Sequence, residues 1–122
     1  MALILIVDDS ETHRRELEAA LSGAGHQVLN AVDGIDGLEV LSKNPAVQVI
    51  ICDVNMPRMN GYDLIKGIRQ SLGLAELPII VLTTENSENS QELAFSLGAD
   101  DYVVKPFKAN LVMARINAAL RR

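Results

Sequence analysis

The sequence predicts an α/β fold, a doubly wound parallel sheet with (βα)5 order. Three observations predict it. Short, continuous, β-branched apolar runs recur along the chain, as expected of strands buried on both faces. Stretches with apolar residues at helical spacing lie between them. At 122 residues, the chain has the size of one ordinary domain with a real core.

The elements follow in order. Leu3–Val7 is the first strand. Leu17, Ala20, Leu21 and Ala24 share a helical face, and Gly23 and Gly25 offer a stop. A weaker strand lies around Gln27–Val32, as an edge strand would. Ile35, Leu38 and Leu41 form the apolar side of a second helix, which ends near Pro45. Val47–Cys52 is the third strand, followed by a helix built on Leu64, Ile65 and Ile68. Ile79–Leu82 is the fourth strand; its helix carries Leu93, Ala94 and Leu97 and stops at Gly98. Tyr102–Val104 is the fifth strand, and Val112, Ile116 and Leu120 face inward from the last helix. Right-handed crossovers place helices on both sheet faces.

Composition narrows the function. Hydrophobic residues make up 48% and charged residues 22%, the balance of a globular domain, here taken as one unit over residues 1–122. No apolar run approaches the length of a membrane span, and no leader pattern precedes Leu3. A formal net charge of −5 argues against nucleic-acid binding. The basic residues Arg115, Arg121 and Arg122 are too few for a footprint on DNA. The single cysteine, Cys52, has no partner for an internal disulfide, which predicts a cytoplasmic location.

In open parallel sheets, sites form outside the carboxyl ends of the strands. The first strand ends in Asp8 and Asp9, the third in Asp53, the fourth in Thr83 and Thr84, the fifth in Lys105. Adjacent like charges cost free energy unless a cation sits among them. Three carboxylates with no His or Cys ligand spacing suit a hard divalent cation, Mg²⁺ or Mn²⁺, over Zn²⁺. Such an ion bridges to phosphate. Lys105 adds a point charge for phosphate oxygens and Thr83 a hydroxyl donor. Alone, Asp8 and Asp9 would read as acids favoured at a helix N-terminus. Alone, Lys105 would read as a solvated loop lysine. Together on one rim they read as a metal-assisted phosphoryl site.

The segments "VDDS", "CDVNMPRMNGYDL", "VLTTE" and "GADDYVVKPF" occur in that order at strand ends. With them the whole chain resembles a response-regulator receiver domain of two-component signalling, similar to the chemotaxis regulators. The resemblance implies the flavodoxin-like strand order 2-1-3-4-5. It implies that Asp53 is the phosphoacceptor, that Asp9 coordinates Mg²⁺ directly, and that Asp8 does so mainly through water. It adds the backbone carbonyl of Asn55 as a ligand. It makes Thr83 and Lys105 partners of the phosphoryl group, with the Lys105–Pro106 bond cis, and Tyr102 the aromatic whose rotamer follows Thr83. Gly61 passes the chain tightly into the third helix. Asn55 and Glu85 occupy variable rim positions that tune phosphoryl lifetime.

The implied function is a phosphorylation-activated switch and not an enzyme in its own right. Its phosphoryl donor is a sensor histidine kinase or a histidine phosphotransfer protein. Its output, to an effector domain or protein, runs through the face made by helix 4, strand 5 and helix 5. "ENSENSQE", residues 85–92, reads as a soft first helical turn beside that face. Winged-helix relatives dimerise there through charge pairs. Asp100, Asp101 and Arg115 match those pairs, but Gln91 and Asn110 replace a base and an acid. The expectation is a monomer when unphosphorylated and at most a weak dimer when activated. His13 and His26 read as surface residues, and Cys52 as a small buried hydrophobe. Met56 and Met59 read as shields of the site.

Two rivals fare worse. A flavin-binding electron carrier of similar fold would need a hydroxyl- and glycine-rich loop after the first strand, where this chain has "DDSE". It would also need aromatics, and there are two Phe and two Tyr. A phosphoaspartate phosphatase would need two aspartates two residues apart on one strand end, which neither "DDS" nor "DVN" offers.

Overall fold

A computed structural model describes residues 1–121. Five parallel strands stand in the order β2-β1-β3-β4-β5. They are β1 Leu3–Val7, β2 Gln27–Ala31, β3 Val49–Cys52, β4 Ile79–Thr83 and β5 Asp101–Val104. The helices are α1 Glu11–Gly23, α2 Gly34–Lys43, α3 Gly61–Lys66, α4 Glu88–Leu97 and α5 Ala109–Leu120. Among the described residues, no helix is long and apolar enough to cross a membrane.

Strand alternation divides the core in two. Leu5 and Val7 of β1 join Ile50, Cys52, Val81, Leu64, Ile65, Ile68 and Ala94 on one face. Ile4 and Ile6 join Val49, Ile51, Leu82, Leu17, Leu21, Val112 and Ile116 on the other. β1, β3 and β4 are therefore apolar at nearly every position because both faces are covered. Each fully buried Leu or Ile contributes about 1.5–3 kcal/mol of transfer free energy.

Four helices begin under side-chain caps. Ser10, Asp33, Asn60 and Ser87 accept from the backbone N–H groups of His13, Asp36, Asp63 and Ser90. The Ser87 cap corrects the expectation of a soft turn over 85–92. Residues 85–87 are loop, and the helix starts at Glu88 with its end already satisfied.

Three further expectations are corrected. Ile35 is 42% exposed, and Gly37 takes the inward position on α2, where its Cα region fits against Val7. Leu93 is likewise 44% exposed, while Ser90 and Ala94 carry the buried side of α4. The third helix is not uniform. It ends as α-helix at Lys66 and continues as a π-helical turn over Gly67–Ser71.

That turn presents Arg69 to the end of the sheet opposite the rim. Its Nε donates to the Gly98 carbonyl at 3.1 Å, Nη1 to the Leu74 and Leu77 carbonyls at 2.7 Å each, and Nη2 to the Gly98 carbonyl at 2.7 Å and to Asp100 Oδ2 at 3.0 Å. All five donors of the guanidinium are used. Gly98, at φ 117°, leaves room for the Arg69 stem, because a Cβ there would sit 2.9 Å from it.

Candidate functional site at the carboxyl rim of the sheet

Register alone brings the acids together. Val7 of β1 pairs with Cys52 of β3, so the next residues, Asp8 and Asp53, emerge side by side. Thr83 of β4 pairs with Val104 of β5, and the Lys105 N–H donates to the Thr83 carbonyl at 2.7 Å. The lysine thus leaves β5 beside the end of β4, and its long stem carries the ammonium back to the carboxylates. Lys105 Nζ donates to Asp8 Oδ2 at 2.6 Å and to Asp53 Oδ2 at 3.1 Å. All three residues are buried.

The other carboxylate oxygens are held by backbone. Asp8 Oδ1 accepts from the Ser10 N–H at 2.9 Å. Asp53 Oδ1 accepts from Val54 N–H at 2.6 Å and Asn55 N–H at 3.1 Å. Arg14 Nη1 donates to the Asp8 carbonyl at 2.6 Å and fixes the strand end. Asp53 therefore keeps one oxygen tied to the main chain and one turned to the lysine.

The loop after Asp53 is pinned at two places. Gly61 N–H donates to the Val54 carbonyl at 3.0 Å, and a Cβ at Gly61 would lie 2.1 Å from the Asp53 carbonyl oxygen. Only glycine permits that approach. Arg58, at φ 62°, reaches across to the α2 cap, where its Nε and Nη2 each donate to Asp33 Oδ2 at 2.7 Å. The Arg58 guanidinium holds the Asp33 carboxyl below the usual range, against a smaller upward push from burial. Burial, reinforced by the charges of Asp53 and Asp8, pushes the Cys52 thiol up to about 12, so it is a protonated core side chain at neutral pH.

Thr83 is fully buried at the rim, and its Oγ1 accepts from the Glu85 N–H at 3.3 Å. Tyr102 approaches the same loop from β5. Its hydroxyl donates to the Glu85 carbonyl at 2.8 Å and lies 2.8 Å from Ser90 Oγ, which also bonds the Tyr62 hydroxyl. Three hydroxyls so join α3, α4 and β5. Burial raises the Tyr102 phenol above its ordinary value, partly offset by the bond to Ser90. The Lys105–Pro106 peptide is cis.

The structure gathers Asp8, Asp53 and Lys105, and places Thr83 at the end of β4 and Tyr102 on β5, both bonded to Glu85 of the adjoining β4–α4 loop. It does not bring Asp9 to the lysine: Asp9 is exposed at the start of the loop. It adds a residue that the sequence reading placed on the surface. His13 Nδ1 lies 2.7 Å from Lys105 Nζ and 3.8 Å from Asp8 Oδ2. Ligand atoms of Asp8, His13 and Asp53 lie within 4.8 Å of one another. One ammonium shared by two carboxylates leaves a net negative charge in a buried setting, and Asp9 adds another beside it. The carboxylates of that group fit a hard divalent cation.

The pattern defining the response regulator receiver domain matches residues 4–117. The chain belongs to that family. This receiver is 39% identical over 118 residues to the chemotaxis protein CheY1 of Helicobacter pylori, covering 96% of this chain and 95% of that one. It is 38% identical to the transcriptional regulatory protein AfsQ1 of Streptomyces coelicolor, where it covers 100% of this chain and 52% of the longer one. The crystal structure of the Vibrio cholerae chemotaxis protein CheY4 superposes with a TM-score of 0.91 at 36% identity, covering 98% of this receiver and 99% of that chain. The receiver is thus of the chemotaxis type, a module of two-component signalling that works as a switch in partnership with histidine kinases and effector domains.

Proposed function

We propose that this receiver accepts a phosphoryl group on Asp53 from a phosphohistidine of a sensor kinase or histidine phosphotransfer protein. Asp53 Oδ2 forms the new P–O bond as the P–N bond to the donor imidazole breaks, and the product is an acyl phosphate. The observation that carries this reading is the unequal treatment of the two Asp53 oxygens. Oδ1 is fixed by two backbone N–H groups, which leaves Oδ2 turned to Lys105. Catalysis is then mostly positioning and electrostatics. Lys105 stands ready to pair with an equatorial phosphoryl oxygen, and the Thr83 hydroxyl to donate to another.

Asp8, Asp9, Asp53 and the backbone carbonyl of Asn55 would hold Mg²⁺ or Mn²⁺. When bound, that cation supplies charge neutralisation on the transferring group. The acyl phosphate carries roughly two negative charges where the carboxylate carried one. Thr83 moves toward them, the β4–α4 loop follows, and Tyr102 adjusts with it, biasing the α4–β5–α5 face. Leu93, Phe95 and Leu111 are exposed there and offer apolar anchors to an effector. The exchange takes place in the cytoplasm, with residues 1–122 acting as one receiver unit.

Intact-mass measurement after incubation with acetyl phosphate and Mg²⁺ tests the assignment. One phosphate is expected on the wild type and none on Asp53→Asn. Equal phosphate on the variant would overturn it.

A further inference from the structure

We propose that His13 is a positioning residue for Lys105, the neutral acceptor that keeps the ammonium in place when the carboxylates are drawn elsewhere. The inference deepens the reading of Asp53 as phosphoacceptor and rests on it. A lysine ammonium has three donors and no acceptor. Here all three are accounted for, by Asp8 Oδ2 at 2.6 Å, His13 Nδ1 at 2.7 Å and Asp53 Oδ2 at 3.1 Å. The His13 contact is shorter than the contact to the acceptor carboxylate itself.

The three acceptors differ in what competes for them. Asp8 and Asp53 are oxygen donors, the class that a hard divalent cation prefers, and Asp53 Oδ2, the atom bonded to Lys105, is the one to be phosphorylated. Imidazole nitrogen is a poor ligand for such a cation. A cation or phosphoryl group at the rim therefore weakens two of the three lysine bonds and leaves the third. The tautomer that accepts from Lys105 carries its proton on Nε2.

Local structure supports the assignment. His13 sits in the first turn of α1, where its backbone N–H is held by the Ser10 cap at 3.3 Å, so the ring leaves from a fixed point. The ring and the lysine share the wall of a cavity of about 510 Å³ with Thr12, Thr84 and Phe107. The side chain is 40% exposed, so the inward bond is made by a residue that burial alone would not hold there.

Two variants separate acceptor from filler. In His13→Asn the Oδ1 lies as far from Cβ as Nδ1 does in histidine and accepts the same bond; in His13→Ala nothing does. Neither touches the cap, which uses backbone. The first measurement is the Lys105 ammonium signal in ¹⁵N-labelled protein without metal. It should persist in wild type and His13→Asn, and broaden away in His13→Ala as exchange with water quickens. The second is the rate of phosphorylation by acetyl phosphate with Mg²⁺. His13→Ala should fall roughly tenfold, and His13→Asn should stay within about twofold of wild type. A signal and rate in His13→Ala equal to wild type would overturn the inference, as would His13→Asn behaving like His13→Ala. If the wild type takes no phosphate, the phosphoacceptor reading falls, and the transfer role of His13 with it, whatever the ammonium signal shows.

Discussion

Lys105 Nζ lies nearer to Asp8 than to Asp53, at 2.6 Å against 3.1 Å. The lysine therefore has a structural duty in the unmodified chain: it offsets part of the charge of two buried acids that register forces together. Lys105→Met keeps the stem volume and removes the charge. Its stability in chelator-treated buffer should fall by about 3–5 kcal/mol, the cost of stranding buried charge. Urea denaturation checks the loss. Added Mg²⁺ should raise the unfolding midpoint more in the variant than in the wild type, because the ion takes over the neutralisation.

Asp9 should matter more to Mg²⁺ affinity than Asp8. Both Asp8 oxygens are already engaged, by Ser10 N–H and by Lys105, whereas Asp9 is exposed. Calorimetric titration of Asp9→Ala and Asp8→Ala gives the order. A larger loss in Asp8→Ala would reverse it.

Arg58 and Asp33 link the loop after Asp53 to α2, and the link has a pH signature. The folded-state pKa of Asp33 is lowered from the ordinary 3.8, first of all by the bond to Arg58. The stabilisation is therefore complete above that value and is lost as pH falls through the folded pKa. Arg58→Met should be less stable than wild type at pH 7, with the gap closing below about pH 4. Urea midpoints across that range give the curve. A gap independent of pH would assign the effect of Arg58 to packing.

Much of the site was legible because it depends on strand ends. A run of β-branched residues stops where the chain meets solvent at the rim. The residue that follows is placed by register, so Asp8, Asp53 and Lys105 can be read without coordinates. His13 could not, since it lies in the first turn of α1 and not at a strand end, and its own spacing spells no ligand motif. Ile35 and Leu93 mislead for another reason. Helical period marks a face, but which edge of that face turns inward depends on small residues such as Gly37 and Ser90 that let the helix approach. The π-helical turn at Gly67–Ser71 leaves no periodic trace either, and the arginine within it bonds to distant carbonyls.

Self-association should be weak. Arg115 Nη1 lies 3.6 Å from Asp101 Oδ2 and Arg69 Nη2 3.0 Å from Asp100 Oδ2 within one chain, so the three charges that could serve a partner, Asp100, Asp101 and Arg115, already have internal counterparts. Gln91 and Asn110 supply no charge to replace them. Exposed pairs are worth about 0–1 kcal/mol each. Sedimentation velocity at low micromolar protein should give a monomer without activation. With Mg²⁺ and beryllium fluoride it should show at most a minor dimer. Full conversion to dimer would mean that Asp101 and Arg115 suffice.

The five bonds of Arg69 make one end of the sheet a foundation. Gly98 and Asp100 precede β5, Leu74 and Leu77 precede β4, and one guanidinium clamps them all. At about 3.3 Å per residue the strands run some 13–16 Å from that clamp to the rim. Both strands are thus fixed at the root by side-chain bonds as well as by their neighbours in the sheet. Under the proposed function, a charge placed at the tip would act where α4 and Tyr102 are attached, while the Arg69 clamp holds the opposite end still.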